Sequence, residues 1–304
     1  MSWREGMWAR MWQWSPTGRA KDRVRISVAH AARGTGSLTS VASPPRLLDP
    51  RAIVRDRGVV AVMNGDYFED VPGGAVPMGP VVVDREVVFA PRGWSRAVAT
   101  GPDGYLRTTH VTLDAVATKT AQRARAAGTD YPIAAVNDPL LTRRDIVLFT
   151  PRWSATTIPR RAHAVTVVDG RVTRIAAPGT RVTVPARGYV LASTSSKLLT
   201  GLTRGDRINL DTGNVARDQR PVTNAAGHGG SALRNGELAD LCSEHENLLR
   251  PRSALAWNDQ GDTWLLTASS GLPDPPDGIR VGGSTKRQLA QIAQRLGATD
   301  AVIL

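Results

Sequence analysis

The chain has a single cysteine, Cys242, in 304 residues. No intrachain disulfide can form, and no cysteine-based metal site can be built. No run of 18 apolar residues occurs, so the sequence offers no membrane-spanning helix. Aromatic residues are scarce, at 5%, yet Trp3, Trp8, Trp12 and Trp14 crowd into the start. The stretch 1–25 is basic and lacks the continuous apolar core and small-residue cleavage site of a signal peptide. Met7 and Met11 leave room for a later start. Acidic side chains are also short in supply: 39 Lys+Arg face 27 Asp+Glu, for a net charge of +12. Such a balance attracts polyanions. Arg far outnumbers Lys beside abundant Ala, Gly and Val, the pattern of a GC-rich genome, so codon bias accounts for part of the charge. No dense basic run with interleaved aromatics and no nucleic-acid fold signature is present, so nucleic acid is not expected as a partner.

The remaining composition, 41% hydrophobic and 22% charged, is that of a soluble globular protein. With 29 Gly and 20 Pro, turns are frequent and more strand than helix is expected. Residues 23–32 alternate Val24, Ile26 and Val28 with polar neighbours, a half-buried strand. Asp49-Pro50 opens a short helix over 51–57 that Gly58 closes. Residues 59–63 are Val-rich and read as a buried strand that delivers Asn64-Gly65-Asp66 into a turn, with Tyr67 and Phe68 behind. Hairpins are expected over 81–89 about Asp84-Arg85, over 96–113 about Pro102-Asp103-Gly104, and over 165–175 about Asp169-Gly170. Strands are read at 133–136, 146–149, 182–184, 189–192, 207–210, 254–257, 264–268 and 301–304. Residues 118–127 suit a helix or an excursion, 193–202 a short helix, and 273–278 a loop. The clearest helix is 285–296, with a Thr285/Gln288 capping box, an apolar stripe of Leu289, Ile292, Ala293 and Leu296, and Gly297 at its end. Many hairpins and few helices predict one α+β domain, mixed or antiparallel, with helices packed on the sheets. Residues 1–22 are a lead segment and 23–304 the domain.

Several polar clusters admit more than one role. Asp66 suits acid/base or nucleophile-like chemistry, or simply caps its turn. Asn64 could bind a sugar hydroxyl or hold the turn. His228-Gly229-Gly230-Ser231 begins like an esterase oxyanion loop, but the Gly-x-Ser-x-Gly elbow that chemistry needs is absent. His228 could act as a general acid, contact phosphate, or be a loop histidine. Glu244, His245 and Glu246 are adjacent in a polar loop and point apart, so they read as solvated rather than as a metal cluster. Asp211, followed by Thr212, reads as structural.

In order, these segments resemble the phosphodiester glycosidase family. Asn64-Gly65-Asp66-Tyr67-Phe68 is similar to the family's Asn-Gly-Gly/Asp-Phe/Tyr-Phe segment. Gly229-Gly230, then Leu233-Arg234-Asn235-Gly236, follow its Gly-Gly and apolar-Arg-Asn-Gly elements. Pro251-Arg252-Ser253-Ala254-Leu255 resembles its Arg-Thr-Ala-apolar-Gly segment, and the terminal helix and strand match the stretch before the family's signature. The resemblance covers about 59–304. It implies hydrolysis of a sugar-1-phosphodiester in cell-envelope or exopolysaccharide glycans, and an extracellular or cell-envelope location. It also implies Asp66 and His228 as catalytic, with Asn64, Gly65, Gly229, Gly230 and Arg252 binding substrate, Arg252 through its planar fork. No metal and no cofactor are expected. Two departures stand out. The family runs from its last strand into Asn-Leu-Asp-Gly-Gly-Gly-Ser where this sequence ends at Ile303-Leu304, which reads as a domain shortened at its C-terminus. Ser269-Ser270-Gly271 stands where Asp-Gly-Arg or Asp-Gly-His is expected. The alternative is therefore a catalytically inactive carbohydrate- or phosphate-polymer-binding protein of the same fold.

Overall fold

The computed structural model describes residues 5–14, 24–72, 74–91, 95–120, 128–239, 248–270 and 282–304. Cys242, Glu244, His245, Glu246, Gly271 and the stretches 121–127 and 273–278 lie outside them. The described residues are 8% helical and 46% strand, with two helices among them, so the expected α+β balance tips towards sheet. The hairpins account for this, because each two-residue turn returns the chain to a ladder.

The strands in chain order are β1 (Met7–Trp14), β2 (Val24–Ala31), β3 (Phe68–Val71), β4 (Gly74–Pro77), β5 (Val81–Val83), β6 (Glu86–Phe89), β7 (Arg96–Thr100), β8 (Leu106–Lys119), β9 (Thr129–Val136) and β10 (Ile146–Phe149). There follow β11 (His163–Val168), β12 (Arg171–Ala176), β13 (Gly188–Ser193), β14 (Ile208–Ala216), β15 (Asn224–Gly227), β16 (Gly230–Arg234), β17 (Glu237–Leu238), β18 (Arg252–Trp257), β19 (Thr263–Ser270) and β20 (Asp300–Ile303). The helices are α1 (Pro50–Arg57) and α2 (Lys286–Arg295).

A seven-stranded sheet runs β1-β2-β19-β18-β20-β16-β17. An eleven-stranded sheet runs β12-β11-β13-β10-β9-β8-β7-β15-β5-β6, with β14 paired to β8. The stretch read as a lead contributes β1, which pairs with β2 from Met7 opposite Ala31 to Trp14 opposite Val24. The three expected hairpins form, and Asp84 (φ 49), Arg85 (φ 72), Asp169 (φ 48) and Gly170 (φ 72) take the left-handed backbone that tight primed turns need. Residues 182–184 form no strand; Val182 is buried and its carbonyl accepts from the Ile158 amide. The short helix expected over 193–202 is a 3-10 turn, Ser196–Leu199.

Period-two alternation gives the first sheet two working faces. Val24, Ile26, Val28, Ala254, Ala256 and Leu266 pack with Leu289, Ala290 and Ala293 of α2. The capping box of α2 forms as expected, with Thr285 and Gln288 bonded to each other's backbone amides. The opposite face presents Leu255, Trp257 and Val302 to Val98 of the second sheet, with Met63, Leu106, Ala226 and Leu304 alongside. The chain steps from the second sheet to the first between β15 and β16. Residues 227–230 are that crossing, and the candidate site is built around them.

Candidate functional site

Asp49 caps α1 by accepting from the Arg51 amide, and Gly58 ends it in the left-handed region, at φ 66. The chain then runs through residues 59–67 without a ladder, which corrects the strand expected over 59–63. A β-branched run becomes a strand only where a sheet edge receives its amides and carbonyls. Here the side chains are half-buried, and Met63 fills the contact between the sheets. Asn64 accepts a short hydrogen bond from the Ser253 hydroxyl on β18, and its own amide donates to the Gly65 carbonyl at 3.1 Å. Asp66 Oδ1 accepts from the Tyr67 amide at 2.8 Å, and the Tyr67 carbonyl accepts from the Met78 amide at 2.9 Å. Tyr67 and Phe68 remain exposed, at 47% and 57%.

Two missing side chains seat this loop. A Cβ on Gly227 would lie 2.1 Å from Asp66 Oδ2 and 2.6 Å from Gly79 Cα. A Cβ on Gly229 would lie 2.4 Å from Tyr67 Cε2. Asp66 and Tyr67 therefore rest directly on bare backbone. Asp66 Oδ2 is buried and makes no well-aligned hydrogen bond, although the Gly79 amide lies near enough to act on the carboxyl. Burial raises the pKa of this carboxyl, against the opposing pull of the Tyr67 and Gly79 amides.

His228 is 4% exposed. Its Nδ1 accepts from the Gly230 amide at 3.1 Å, which assigns the neutral ring's proton to Nε2. Burial, then the charges of Arg96, His110 and Arg234, lower its pKa to about 4. The ring lines a cleft of about 400 Å³ with Arg96, Thr108, Thr109, His110, Gly230, Ser231 and Arg234. Arg96 on β7 lies directly opposite His110 on β8. Ser95 Oγ is 2.9 Å from His110 Nδ1, and Arg234 Nη2 donates to Ser231 Oγ at 3.4 Å. Gly227 pairs with Ala97, so alternation turns Asp66 and His228 towards opposite sides of this edge of the sheet.

The structure brings Asn64, Gly65, Asp66 and Gly229 together, with His228 and Gly230 on the cleft side of the same crossing. The amides of Gly229 and Gly230 are already engaged, by the Ile303 carbonyl at 2.8 Å and by His228. Arg252 stands apart. It is 8% exposed, with Nε donating to the Ser284 carbonyl at 2.9 Å and Nη2 to the Leu248 carbonyl at 3.0 Å. Strand alternation puts it on the α2 face with Ala254, whereas Ser253 reaches Asn64. Asp211 lies in β14 opposite Val116. Sequence reasoning missed Arg96, His110, Ser253 and Gly227 as site residues. The Asp103 turn held a signal for two of them, because a hairpin centred there sets Arg96 opposite His110.

The fold and site define two large sheets and a small β3-β4 ribbon, with a loop carboxyl and a cationic cleft sharing one strand crossing. Residues 162–304 match the sequence model of the phosphodiester glycosidase family, which is the family the sequence resembles. The matched segment carries His228, Gly229, Gly230, Arg234 and Arg252; Asn64 and Asp66 precede it. A crystal structure of a "hypothetical protein from Synechocystis" superimposes with a TM-score of 0.70 at 17% identity, covering 99% of this chain and 56% of that one. This chain thus spans little more than half the length of that protein. A "Putative exported protein" from Burkholderia pseudomallei K96243 superimposes with a TM-score of 0.63 at 17% identity, covering 93% of this chain and 67% of that one. At such identity these two share the fold. No curated protein matches the sequence. Among the described residues no helix is long and apolar enough to cross a membrane.

Proposed function

We propose that the protein hydrolyses a sugar-1-phosphodiester at the anomeric C–O bond, in glycans of the cell envelope or exopolysaccharide. The observation that carries this reading is Asp66: a half-buried carboxyl with one oxygen lacking a well-aligned hydrogen bond, a raised pKa and a seat of bare glycine backbone beside an exposed Tyr67. A carboxyl biased towards its protonated form is suited to giving a proton to a leaving oxygen, and the same group as carboxylate can stabilise positive charge at an anomeric carbon. Tyr67 and Phe68 offer ring faces to a sugar, and Asn64 offers an amide to its hydroxyls. His228, neutral at physiological pH, serves as an Nε2 donor rather than as a charged acid. Water attacks the sugar carbon, the C–O bond breaks, and phosphate leaves as the monoester with its bridging oxygen. The family match over 162–304 supports the class of substrate, and an extracellular or envelope location is part of the same proposal.

The test is release of free sugar from a panel of sugar-1-phosphodiesters by wild type and by Asp66→Asn. Turnover that falls at least a hundredfold in the variant is the expected result. Turnover unchanged by Asp66→Asn would overturn the assignment. One observation favours a second reading, glycan binding without hydrolysis: no carboxylate is among the described residues lining the cleft. Retention of glycan with no sugar released from any diester would select it.

A further inference from the structure

We propose that the cleft between β7, β8 and β16 is a phosphate-binding site, held by Arg96 and Arg234 with His110, the His228 Nε2–H and the hydroxyls of Thr108, Thr109 and Ser231. This rests on the glycosidase reading only for the identity of its natural occupant, the phosphoryl group of the diester. The cleft's chemistry stands independently of that reading.

Three observations converge. Arg96 and His110 are direct cross-strand neighbours on one face. Such a pair sets a guanidinium and an imidazole side by side, two groups that can both offer N–H donors to one anion. Neither Arg96 nor Arg234 forms an ion pair with any described residue, although six other described arginine and lysine side chains do. The arginines reach the cleft from separate strands, so their charges meet only there. Finally, the concave volume of about 400 Å³ is lined, among the described residues, by donors and by no acidic side chain. A guanidinium fork matches phosphate oxygens in pairs, and neutral Nε2–H and hydroxyl donors complete a tetrahedral oxyanion's hydrogen bonds.

The position follows from the fold. His228 sits at the crossing from β15 to β16 and turns into the cleft, while Asp66 rests on Gly227, one residue earlier. The cleft and the Asp66 seat thus flank a single strand crossing on its two sides. Arg96 and Arg234 supply the phosphate donors that Gly229, Gly230 and Arg252 do not, since those are spent within the fold.

Calorimetric titration of the full chain with inorganic phosphate, then with a phosphate monoester, tests this at low ionic strength. Wild type is expected to bind phosphate in preference to chloride. Arg96→Gln and Arg234→Gln should each weaken binding about tenfold or more, and the double variant should abolish it. Arg96→Lys should recover part of the affinity, and Arg55→Ala, an exposed helix residue, should bind as wild type. Both target arginines are exposed, so the variants should melt with wild type. Folded protein that binds no phosphate, or binds it equally well in the double variant, overturns the proposal. Phosphate binding that depends on both arginines, in a protein that hydrolyses no diester, sustains the cleft and refutes the glycosidase reading. Diester turnover unaffected by the double variant sustains that reading and refutes the diester's phosphoryl group as the occupant of the cleft.

Discussion

Gly227→Ala is the sharpest structural perturbation of the site. The new Cβ would lie 2.1 Å from Asp66 Oδ2 and 2.6 Å from Gly79 Cα. An ordinary carbon contact is about 3.5 Å, so the carboxylate must retreat on the order of 1 Å and the Gly79 backbone almost as far. Asp66 can rotate away at little expense, but backbone cannot. Overpacking of this kind costs about 1–3 kcal/mol, which for a chain of this size lowers Tm by roughly 2–10 °C. The displaced carboxyl also gains water, so its pKa should fall towards the ordinary 3.8. Adding Asp66→Ala should recover the part of the loss due to the carboxylate and leave the part due to Gly79. The control is Gly65→Ala. Nothing lies within 4 Å of a Cβ there, so its Tm should match or slightly exceed wild type. Thermal melts and a carbon-13 titration of the aspartates read both effects. A Gly227→Ala protein that melts with wild type and keeps a raised Asp66 pKa would refute the seat described for this carboxyl.

Two other substitutions report on neighbouring groups. His228 has its folded pKa lowered from 6.5 to about 4. Between those values the unfolded chain binds a proton that the folded chain refuses, so stability falls as pH drops through that window. The full gap corresponds to about 3 kcal/mol. His228→Gln should flatten the acid limb of stability against pH in urea titrations, leaving the smaller slope from His30, whose pKa burial also lowers. An unchanged slope would contradict a buried neutral His228. Arg252→Ala leaves the Leu248 and Ser284 carbonyls short of a donor. It should cost about 3 kcal/mol of stability while phosphate affinity stays at the wild-type value. Lost phosphate affinity in a folded variant would return Arg252 to the binding site.

Much of the fold was legible because its signals are local. Asp49 with Gly58, Asp169-Gly170, and Thr285 with Gln288 each specify a backbone event within a few residues, and each occurs. The run at 59–63 was misleading because a Val-rich stretch reports burial, while strand formation depends on a distant edge. β1 was missed for the converse reason, since its apolar pattern is weak and pairing with β2 supplies the ladder. Within the site, Asn64-Gly65-Asp66 and Gly229-Gly230 could be singled out by sequence order. That Gly229 carries Tyr67, or that Gly227 carries Asp66, is a fact of packing between segments some 160 residues apart. Arg252 illustrates the limit most clearly: its neighbour Ser253 faces the Asn64 loop, and one step of strand alternation turns the guanidinium to the other side of the sheet.

The measurement that bears most directly on the proposed reaction is the fate of solvent oxygen. A sugar-1-phosphodiester is hydrolysed in oxygen-18 water and both products are weighed by mass spectrometry. Cleavage at the anomeric carbon places the label in the sugar's new hydroxyl and none in the phosphomonoester. Label in the phosphate instead would mean attack at phosphorus, and the chemistry assigned to Asp66 would be wrong.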